Sequence, residues 1–219
     1  MSSPPPAELR AFVRRQTRLL PVPDLPGIRL HQAEDVSQLY GLTALGVPDP
    51  GLPFWGFAWA GGLAVSRYLF EHPELVAGRR IVDVASGSGL CGIVAMRLGA
   101  ASVHALDVDP FAEAAIAVNA RANGVRLAFS LGDATLAAPP ECDLILAGDI
   151  CYEELMAADL VDWLRAAHRA GTPVLLGDPG RKYLPPGLRR LAVYQVHTTR
   201  EIEDSELKDA AVYTFGGNE

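Results

Sequence analysis

Two aspartates flank a glycine-rich turn near the middle of the chain. Asp83 closes one apolar run, the turn runs Ser86-Gly87-Ser-Gly89, and Asp107 closes a second apolar run. The glycines let a ligand approach the backbone, and the helix that follows directs its first N–H groups toward the same place. Asp107 lies 20 residues beyond Gly87, a spacing at which a carboxylate on the second strand reaches ribose hydroxyls. The pattern predicts a nucleoside-cofactor site.

The glycine spacing does not decide which cofactor is bound. Gly87, Gly89 and Gly92 match the G-x-G-x-x-G order of dinucleotide sites, so an NAD-linked oxidoreductase stays a weak alternative. The charge favours S-adenosylmethionine, because Asp83 would repel a pyrophosphate but suits a ligand with an ammonium and a sulfonium. A second interpretation is that Asp83 only hydrogen-bonds the loop backbone, and both roles are compatible.

Composition excludes several function classes. The chain has 219 residues, a net charge of −7 and 49% hydrophobic residues, which fits one folded domain but not broad nucleic-acid binding. Cys91, Cys142 and Cys151 lack C-x-x-C spacing and lie in apolar segments, so we expect reduced thiols. The five histidines are scattered and predict no metal site. The sequence predicts neither a membrane span nor a secretory signal peptide.

The N-terminal part, residues 1–52, is predicted to belong to the same domain as the main part, residues 53–219. An apolar face with helical spacing is predicted from Leu9 to Leu20, with arginines on the opposite face. Residues 21–53 are rich in proline and glycine and predict irregular wrapping, with a possible helix at 32–40.

The main part alternates strands and helices, which predicts an α/β fold with a doubly wound, mostly parallel sheet. A helix at 63–70 precedes it. Two late strands, at 191–199 and 210–215, predict an antiparallel C-terminal hairpin. The core strands are predicted at 80–84, 102–107, 125–131, 143–148 and 173–177, and the core helices at 89–98, 110–122 and 153–169.

Three segments carry a resemblance to a known family. Residues 53–62, Pro-Phe-Trp-Gly-Phe-Ala-Trp-Ala-Gly-Gly, resemble the tryptophan segment of seven-β-strand protein lysine methyltransferases, and residues 149–152, Asp-Ile-Cys-Tyr, match their D-x-x-Y motif. Residues 177–185 are similar to the segment after the fifth strand in the electron-transfer flavoprotein β-subunit lysine methyltransferases. The resemblance implies a Rossmann-like class I methyltransferase domain, S-adenosylmethionine as cofactor and the flavoprotein β subunit as favoured protein substrate.

Two residues depart from the family pattern. Ala85 stands where the first loop residue is usually glycine, and Ala60 replaces the proline of the tryptophan segment. An alanine adds one methyl group and disfavours positive φ, but neither change removes a charge or a donor. Both are interpreted as tolerated.

Site roles follow from the motif positions. The catalytic residues are predicted to be Asp149, which orients the incoming amine, and Tyr152, which supplies an aromatic wall and a hydroxyl. Asp149 could instead cap the helix that begins near Glu153. Trp55 and Phe57 are predicted to pack and Trp163 to lie in the core. The predicted cofactor-binding residues are Trp59, Asp83, Ser86, Gly87, Gly89, Asp107, Asp133 and Gly148.

The favoured function is therefore protein-lysine N-methylation. The cytoplasm is the favoured compartment, because Glu8 argues against interpreting the arginine-bearing N-terminal segment as an organellar presequence. One alternative is a methyltransferase of the same group that acts on another protein, for example a ribosomal one, or on a small amine. Another is a non-catalytic S-adenosylmethionine-binding module that regulates a partner.

Overall fold

The computed structural model describes residues 6–33, 53–198 and 203–216. A seven-stranded sheet has helices on both of its faces. Its strands are β3 (Arg80–Val84), β4 (Ser102–Asp107), β5 (Ala128–Leu131), β6 (Leu144–Gly148), β7 (Val174–Asp178), β8 (Arg189–His197) and β9 (Leu207–Thr214). Their spatial order is β5-β4-β3-β6-β7-β9-β8. The helices are α1 (Pro6–Gln16), α2 (Ala60–Glu71), α3 (Leu90–Arg97), α4 (Pro110–Ala122) and α5 (Glu154–Arg169).

The α/β prediction is confirmed. Strands β3 to β7 pair in parallel, and β9 pairs antiparallel with both β7 and β8. The buried faces of β6 and β7 are almost entirely aliphatic, as expected for strands covered on both sides. This topology places the carboxyl ends of five parallel strands at one edge of the sheet, where ligands bind in open α/β folds.

The N-terminal part differs from the sequence prediction. Helix α1 ends at Gln16, and a short antiparallel hairpin follows, formed by β1 (Arg18–Pro21) and β2 (Arg29–Gln32). Extending the helix through Leu19 and Leu20 was wrong, because Pro21 and Pro23 disfavour helical backbone in the residues just before them. The interpretation of 21–53 as irregular missed β2, and the possible helix at 32–40 lies almost wholly outside the described residues.

Helix α1 packs on the main part. Its buried side chains Leu9, Phe12 and Val13 join the cluster around α4, where the rings of Phe12 and Phe111 are 5.6 Å apart. Helix α4 starts as predicted: the Asp109 side chain accepts from the Phe111 N–H, and proline follows the cap. Joint membership of residues 1–52 in this domain stays a prediction, since residues 34–52 are not described.

Helix α2 approaches the sheet through glycines. A Cβ on Gly148 would lie 2.9 Å from Gly62 Cα, and one on Gly61 or Gly177 would collide with the backbone of the other. This contact brings the N-terminus of α2 against the carboxyl ends of β6 and β7. It therefore explains the Gly61-Gly62 pair that ends the tryptophan segment.

The cysteines and Trp163 lie where the sequence predicted them. All three cysteines are free, and Cys91 and Cys151 are buried. Trp163 is buried and its Nε1 donates to the Ala137 carbonyl. No helix in the part of the chain that the structure describes has the length and apolar character needed to cross a membrane.

Candidate active site

A cavity of about 800 Å³ lies at the carboxyl edge of the parallel strands. It is formed by the loops after β3, β4, β5 and β6, by the residues that lead into α2, and by Arg181 from the loop after β7. Gly89 is not among the lining residues. Nine of the ten predicted site residues line the cavity: Trp59, Asp83, Ser86, Gly87, Asp107, Asp133, Gly148, Asp149 and Tyr152.

Asp83, in the strand that precedes the glycine-rich turn, stabilises this turn through hydrogen bonds. Its Oδ2 accepts from Ser86 Oγ at 2.6 Å and from the Gly92 N–H at 2.9 Å, so it does bind the loop. Burial is the main reason that the pKa of Asp83 rises to about 7, and the nearby Asp107 raises it further. Gly89 has a backbone role, because its φ of +81° starts α3 in a left-handed conformation.

Asp107 supports the same turn from the neighbouring strand. Its Oδ2 accepts from the Gly87 N–H at 2.8 Å and its Oδ1 from the Asp109 N–H at 2.9 Å. Burial raises the pKa of both Asp107 and Asp109. Ala85 adopts a φ of +50° between these loops, which explains why glycine is usual at this position.

Asp133 and Gly148 lie on opposite sides of the cavity. Asp133 is exposed and caps a short 3-10 helix (Ala134–Leu136), with Oδ1 accepting from the Thr135 N–H at 2.8 Å. Gly148 lines the cavity, but its missing side chain would point at α2. Packing against Gly62 is therefore sufficient to require glycine at Gly148.

Asp149 is held on both carboxylate oxygens. Its Oδ2 accepts from the Gly62 N–H at 2.9 Å, and its Oδ1 accepts from Arg181 Nη2 at 2.8 Å. Asp149 thus caps the N-terminus of α2, whereas the first turn of α5 is capped by Glu153. Burial raises the pKa of Asp149 to about 6, against the lowering effect of Arg181.

Arg181 connects this carboxylate to a distant segment. Its Nη2 also contacts Glu203 Oε1 at 2.7 Å, and its guanidinium lies 5.8 Å from the centre of the Trp59 ring. Arg181 and Glu203 are the functional residues that sequence reasoning missed. Arg181 lies within the motif at 177–185 and could have been noticed, whereas Glu203 carries no signal in its acidic segment.

An aromatic wall stands beside Asp149. The Phe54 ring is 4.8 Å from the Tyr152 ring and 5.4 Å from the Trp59 ring, and Trp59 Nε1 donates to the Phe54 carbonyl. Burial raises the pKa of Tyr152, so its hydroxyl stays protonated at neutral pH. Trp55 and Phe57 are buried among core side chains and also border the cavity, so the structure keeps both the packing role and the ligand-contact role open.

The charges around the cavity fit a cationic ligand. Six aspartates line the cavity and Arg181 is its single lining cation within the described residues. Asp83 and Asp107 are fixed by hydroxyl and N–H donors, so no side-chain cation neutralises them there. S-adenosylmethionine carries an ammonium and a sulfonium, and binding both groups in this cavity would compensate the negative charge of the buried aspartates. The residues present therefore fit that cofactor.

Known proteins point in the same direction. A profile of the ribosomal protein L11 methyltransferase family (PrmA) matches residues 69–167. The electron transfer flavoprotein beta subunit lysine methyltransferase of Xenopus laevis is 34% identical over 213 residues, which covers 94% of this chain and 86% of that protein.

Two solved structures share the fold. The ribosomal protein L11 methylase of Lactobacillus delbrueckii subsp. bulgaricus superposes with a TM-score of 0.51 at 20% identity, over 73% of this chain and 81% of that one. The magnesium protoporphyrin IX methyltransferase of Synechocystis PCC 6803, solved with S-adenosylmethionine, gives a TM-score of 0.51 at 16% identity, over 71% and 78%.

Fold, cavity and relatives agree on one enzyme class. The protein is a lysine methyltransferase with a class I fold, and its acidic cavity fits S-adenosylmethionine as the cofactor. The extent and level of the identity place it more narrowly: the chain belongs to the electron transfer flavoprotein beta subunit lysine methyltransferase family.

Proposed function

We propose that this chain methylates lysine side chains of the electron transfer flavoprotein β subunit. The observation that carries the proposal is the acidic cavity, in which Asp149 and Tyr152 lie together at the carboxyl end of β6. A cavity of this charge attracts a protonated lysine as well as a cationic cofactor. The identity of the substrate is supported by the name that the relatives share.

The reaction needs alignment more than covalent help from the protein. Bound S-adenosylmethionine would supply a methyl group on a sulfonium. The lysine ammonium must first lose a proton to solvent; the C–N bond would then form as the C–S bond breaks, with S-adenosylhomocysteine as the leaving group. The chain must hold a neutral lysine amine in line and exclude water. We assign Asp149 to orienting the amine, because above pH 6 its fixed carboxylate is an acceptor. Tyr152 forms the adjacent wall.

The cofactor roles are proposed from position. Asp107 would accept from the ribose hydroxyls, and Ser86 and Gly87 would contact the methionine part beside Asp83. Asp133 would accept from the adenine amino group, and Trp59 would close the cavity. Gly148 would lie against the adenosine, in addition to its observed contact with α2.

The catalytic roles are tested by separating binding from transfer. Asp149→Asn keeps an acceptor for Gly62 but loses the charge, and Tyr152→Ala removes the wall. Both variants are expected to bind S-adenosylhomocysteine like the parent and to lose most methyl transfer, about 100-fold for Asp149→Asn. Unchanged turnover in Asp149→Asn would reduce Asp149 to a cap of α2.

The substrate is tested by peptide mass mapping. The purified flavoprotein β subunit is incubated with enzyme and cofactor, and its lysines are examined for mass increases of methyl groups. Because an acidic enzyme is steered toward a lysine-bearing surface, the rate at low substrate is expected to fall as salt rises. Unmodified lysines under these conditions would reject this substrate.

A second candidate substrate is ribosomal protein L11, which the match of residues 69–167 favours. The same mass mapping applied to L11 distinguishes the two. A non-catalytic S-adenosylmethionine-binding module would bind cofactor and modify neither protein nor a small amine.

We also propose the cytoplasm as the compartment. Helix α1 buries Leu9, Phe12 and Val13 in the domain, and Glu8 lies in its first turn. Both features indicate that α1 itself belongs to the mature fold and is not a removable presequence, which is acid-poor and does not pack in the mature fold. Fractionation of cells that express the full chain tests this.

A further inference from the structure

Large exposed apolar side chains cluster at the mouth of the cavity. The described residues contain eight of them, and five lie at or just after the carboxyl ends of β4, β5 and β6. Isolated exposed leucines are ordinary on protein surfaces, but grouping around a site is not. We call these five side chains the apolar collar: Val108, Leu131, Leu136, Tyr152 and Leu155.

Three collar residues, Val108, Leu131 and Leu136, come from β5 and from the loops after β4 and β5, next to the cavity. Val108 lines the cavity directly. Leu131 is paired in register with Asp107 across β4 and β5, so it lies one residue from Val108 on the adjacent strand. Leu136 is 85% exposed and ends the 3-10 helix whose residue Thr135 lines the cavity.

The second part of the collar comes from the loop after β6. Tyr152 lines the cavity and its hydroxyl contacts Met156 Sδ at 3.4 Å. Leu155 is 74% exposed in the first turn of α5, next to Met156, which also lines the cavity. The 3-10 helix packs against α5, where Trp163 Nε1 donates to the Ala137 carbonyl. Leu136 and Leu155 therefore belong to neighbouring elements on one side of the mouth.

Negative charge is concentrated in the sequence segments that carry the collar, although Glu141 and Asp143 in these segments pair with Arg80 at the opposite edge of the sheet. Residues 105–120 and 127–164 hold eleven of the chain's 26 acidic residues and none of its 19 lysines and arginines. The rest of the chain is left with 15 acids against those 19 bases. Exposed acids stand beside the collar leucines, namely Asp133, Glu153, Glu154 and Asp159.

An apolar ring with acidic neighbours is complementary to one kind of surface. Its partner must present apolar side chains for the collar and basic groups for the acids and the cavity. A free amino acid or a small amine would not contact leucines outside the cavity. A folded protein with a protruding lysine loop would contact both at once.

We propose that the apolar collar is the docking surface for the protein substrate and binds an apolar, lysine-bearing surface loop of a folded protein. The inference rests on the proposed function in that a folded protein must be the substrate. Collar contacts bind the flanks of the loop while the target lysine enters the acidic cavity. The three collar leucines, which do not line the cavity, thus set protein affinity and leave cofactor binding unaffected, whereas Val108 and Tyr152 also border the cofactor cavity.

The test compares two double variants with two leucines changed in each. Leu136→Ser/Leu155→Ser removes collar side chains, and Leu20→Ser/Leu207→Ser removes exposed leucines on β1 and β9 that belong neither to the collar nor to the cavity lining. Methylation of the purified flavoprotein β subunit is measured together with the melting temperature and the affinity for S-adenosylhomocysteine. Methyl incorporation from labelled cofactor into total protein of a cell extract is measured in parallel.

The collar variant is expected to raise the KM for the flavoprotein β subunit at least about tenfold, because two leucines lose burial in the complex. Its cofactor affinity, melting temperature and turnover at saturating substrate should match those of the control. Equal KM values in both variants would overturn the proposal. So would a clear fall in the melting temperature of the collar variant, since the leucines would then be covered by the chain itself.

Failure of the proposed function gives a different result. If the parent enzyme leaves the flavoprotein β subunit unmodified, that substrate is rejected. Methyl incorporation into total protein of the cell extract then tests whether the collar is a docking surface. Lower incorporation into extract protein by the collar variant than by the control supports docking of another protein. Equal methyl incorporation by the collar variant and the control variant would overturn the proposal that the collar docks a protein substrate.

Discussion

Two buried carboxylates, Asp83 and Asp149, are fixed in opposite ways. In the turn region, residues 83–92 and 107–109, Asp83 is bound by partners three and nine residues away, a hydroxyl and an N–H. In the Asp149 region, formed by Asp149, Gly62, Arg181 and Glu203, the partners of Asp149 are 87 and 32 residues away and one of them is a cation.

This difference sets the charge of each region. Both aspartates are fully buried, yet the pKa rises to about 7 for Asp83 and about 6 for Asp149, where Arg181 opposes the desolvation. In the turn region no cation is bonded to Asp83, so its carboxyl is only partly ionised near neutral pH and a bound cation would favour its charged form. In the Asp149 region Arg181 is shared with Glu203 and compensates the charge of Asp149 only in part, but it keeps the carboxylate in place before substrate arrives and ionised above about pH 6.

Removing the cation should therefore damage the Asp149 region most. Arg181→Gln leaves Asp149 and Glu203 buried without their shared partner, and we expect it to lower the free energy of unfolding by about 3–5 kcal/mol. Arg165→Gln is the surface control, because Arg165 makes one ion pair, with the exposed Asp162, and one ring contact, whereas Arg181 makes two ion pairs with buried carboxylates. The control should change stability by about 1 kcal/mol or less.

Urea denaturation measures both variants. Arg181→Gln/Glu203→Gln, which removes one charge of each sign, should recover part of the loss. Equal losses for Arg181→Gln and Arg165→Gln would mean that the Asp149 region is no more dependent on its cation than the surface is.

The turn region should instead depend on pH. Because the folded pKa of Asp83 is about 7 and the ordinary value is 3.8, the folded state holds this proton more tightly than the unfolded chain does. Stability from Asp83 is therefore lost as pH rises between these values. Asp83→Asn does not titrate, so from pH 5 to 8 the parent should lose about 2–3 kcal/mol relative to it.

Cofactor binding should show the reverse trend. A cationic ligand binds the ionised form of Asp83, so the affinity for S-adenosylmethionine should rise as pH increases through about 7. Chemical denaturation and titration calorimetry at several pH values measure the two trends. Parallel stability curves for parent and Asp83→Asn would show that Asp83 is already compensated within the chain.

Asp107 tests whether the turn region binds the ribose. Asp107→Ala removes a proposed ribose acceptor and the support for the Gly87 and Asp109 N–H groups, so the Kd for S-adenosylhomocysteine should rise about 10–100-fold. Asp162→Ala, an exposed acid on α5, is the control and should bind like the parent. Calorimetric Kd values that agree for both variants would exclude Asp107 as the ribose ligand.

The two regions also differ in what sequence can predict. The turn region is built from contacts within one strand-turn-helix unit and its neighbouring strand, so the types and spacing of Asp83, Gly87 and Asp107 indicated it. The Asp149 region brings together residues from α2, the loop after β6, the loop after β7 and the β8–β9 connection. Its motif gave the position of Asp149, but its ion pairs depend on tertiary packing that no local pattern specifies.

The same distinction explains the errors in the fold. The parallel core followed from alternating apolar runs, and its helices begin at recognisable caps such as Asp109. The hairpin of β1 and β2 was missed because its strands are four residues long and show no clear alternation. Its position depends on tertiary contacts, including the Arg29 N–H donating to Asn123 Oδ1 at 3.0 Å.

Each region also contains one residue other than glycine with left-handed backbone, and these two provide the smallest test. Ala85 has a φ of +50° and Asp149 a φ of +57°. Asp149 is fixed by two side-chain bonds, whereas the Ala85 methyl group offers none. Ala85→Gly should relieve about 1–2 kcal/mol of backbone strain and lose about 0.4–1 kcal/mol to the greater freedom of the unfolded chain.

The net expectation is a stabilisation of between zero and about 1.6 kcal/mol, measured by urea denaturation. Ala158→Gly, at an exposed position within α5, should have the opposite sign and cost about 1 kcal/mol, because its backbone is already helical. If both changes destabilise the fold equally, Ala85 stores no strain. Opposite signs would show that the turn region tolerates a departure from the family's glycine at a small cost in stability, since no bond in the site depends on that methyl group.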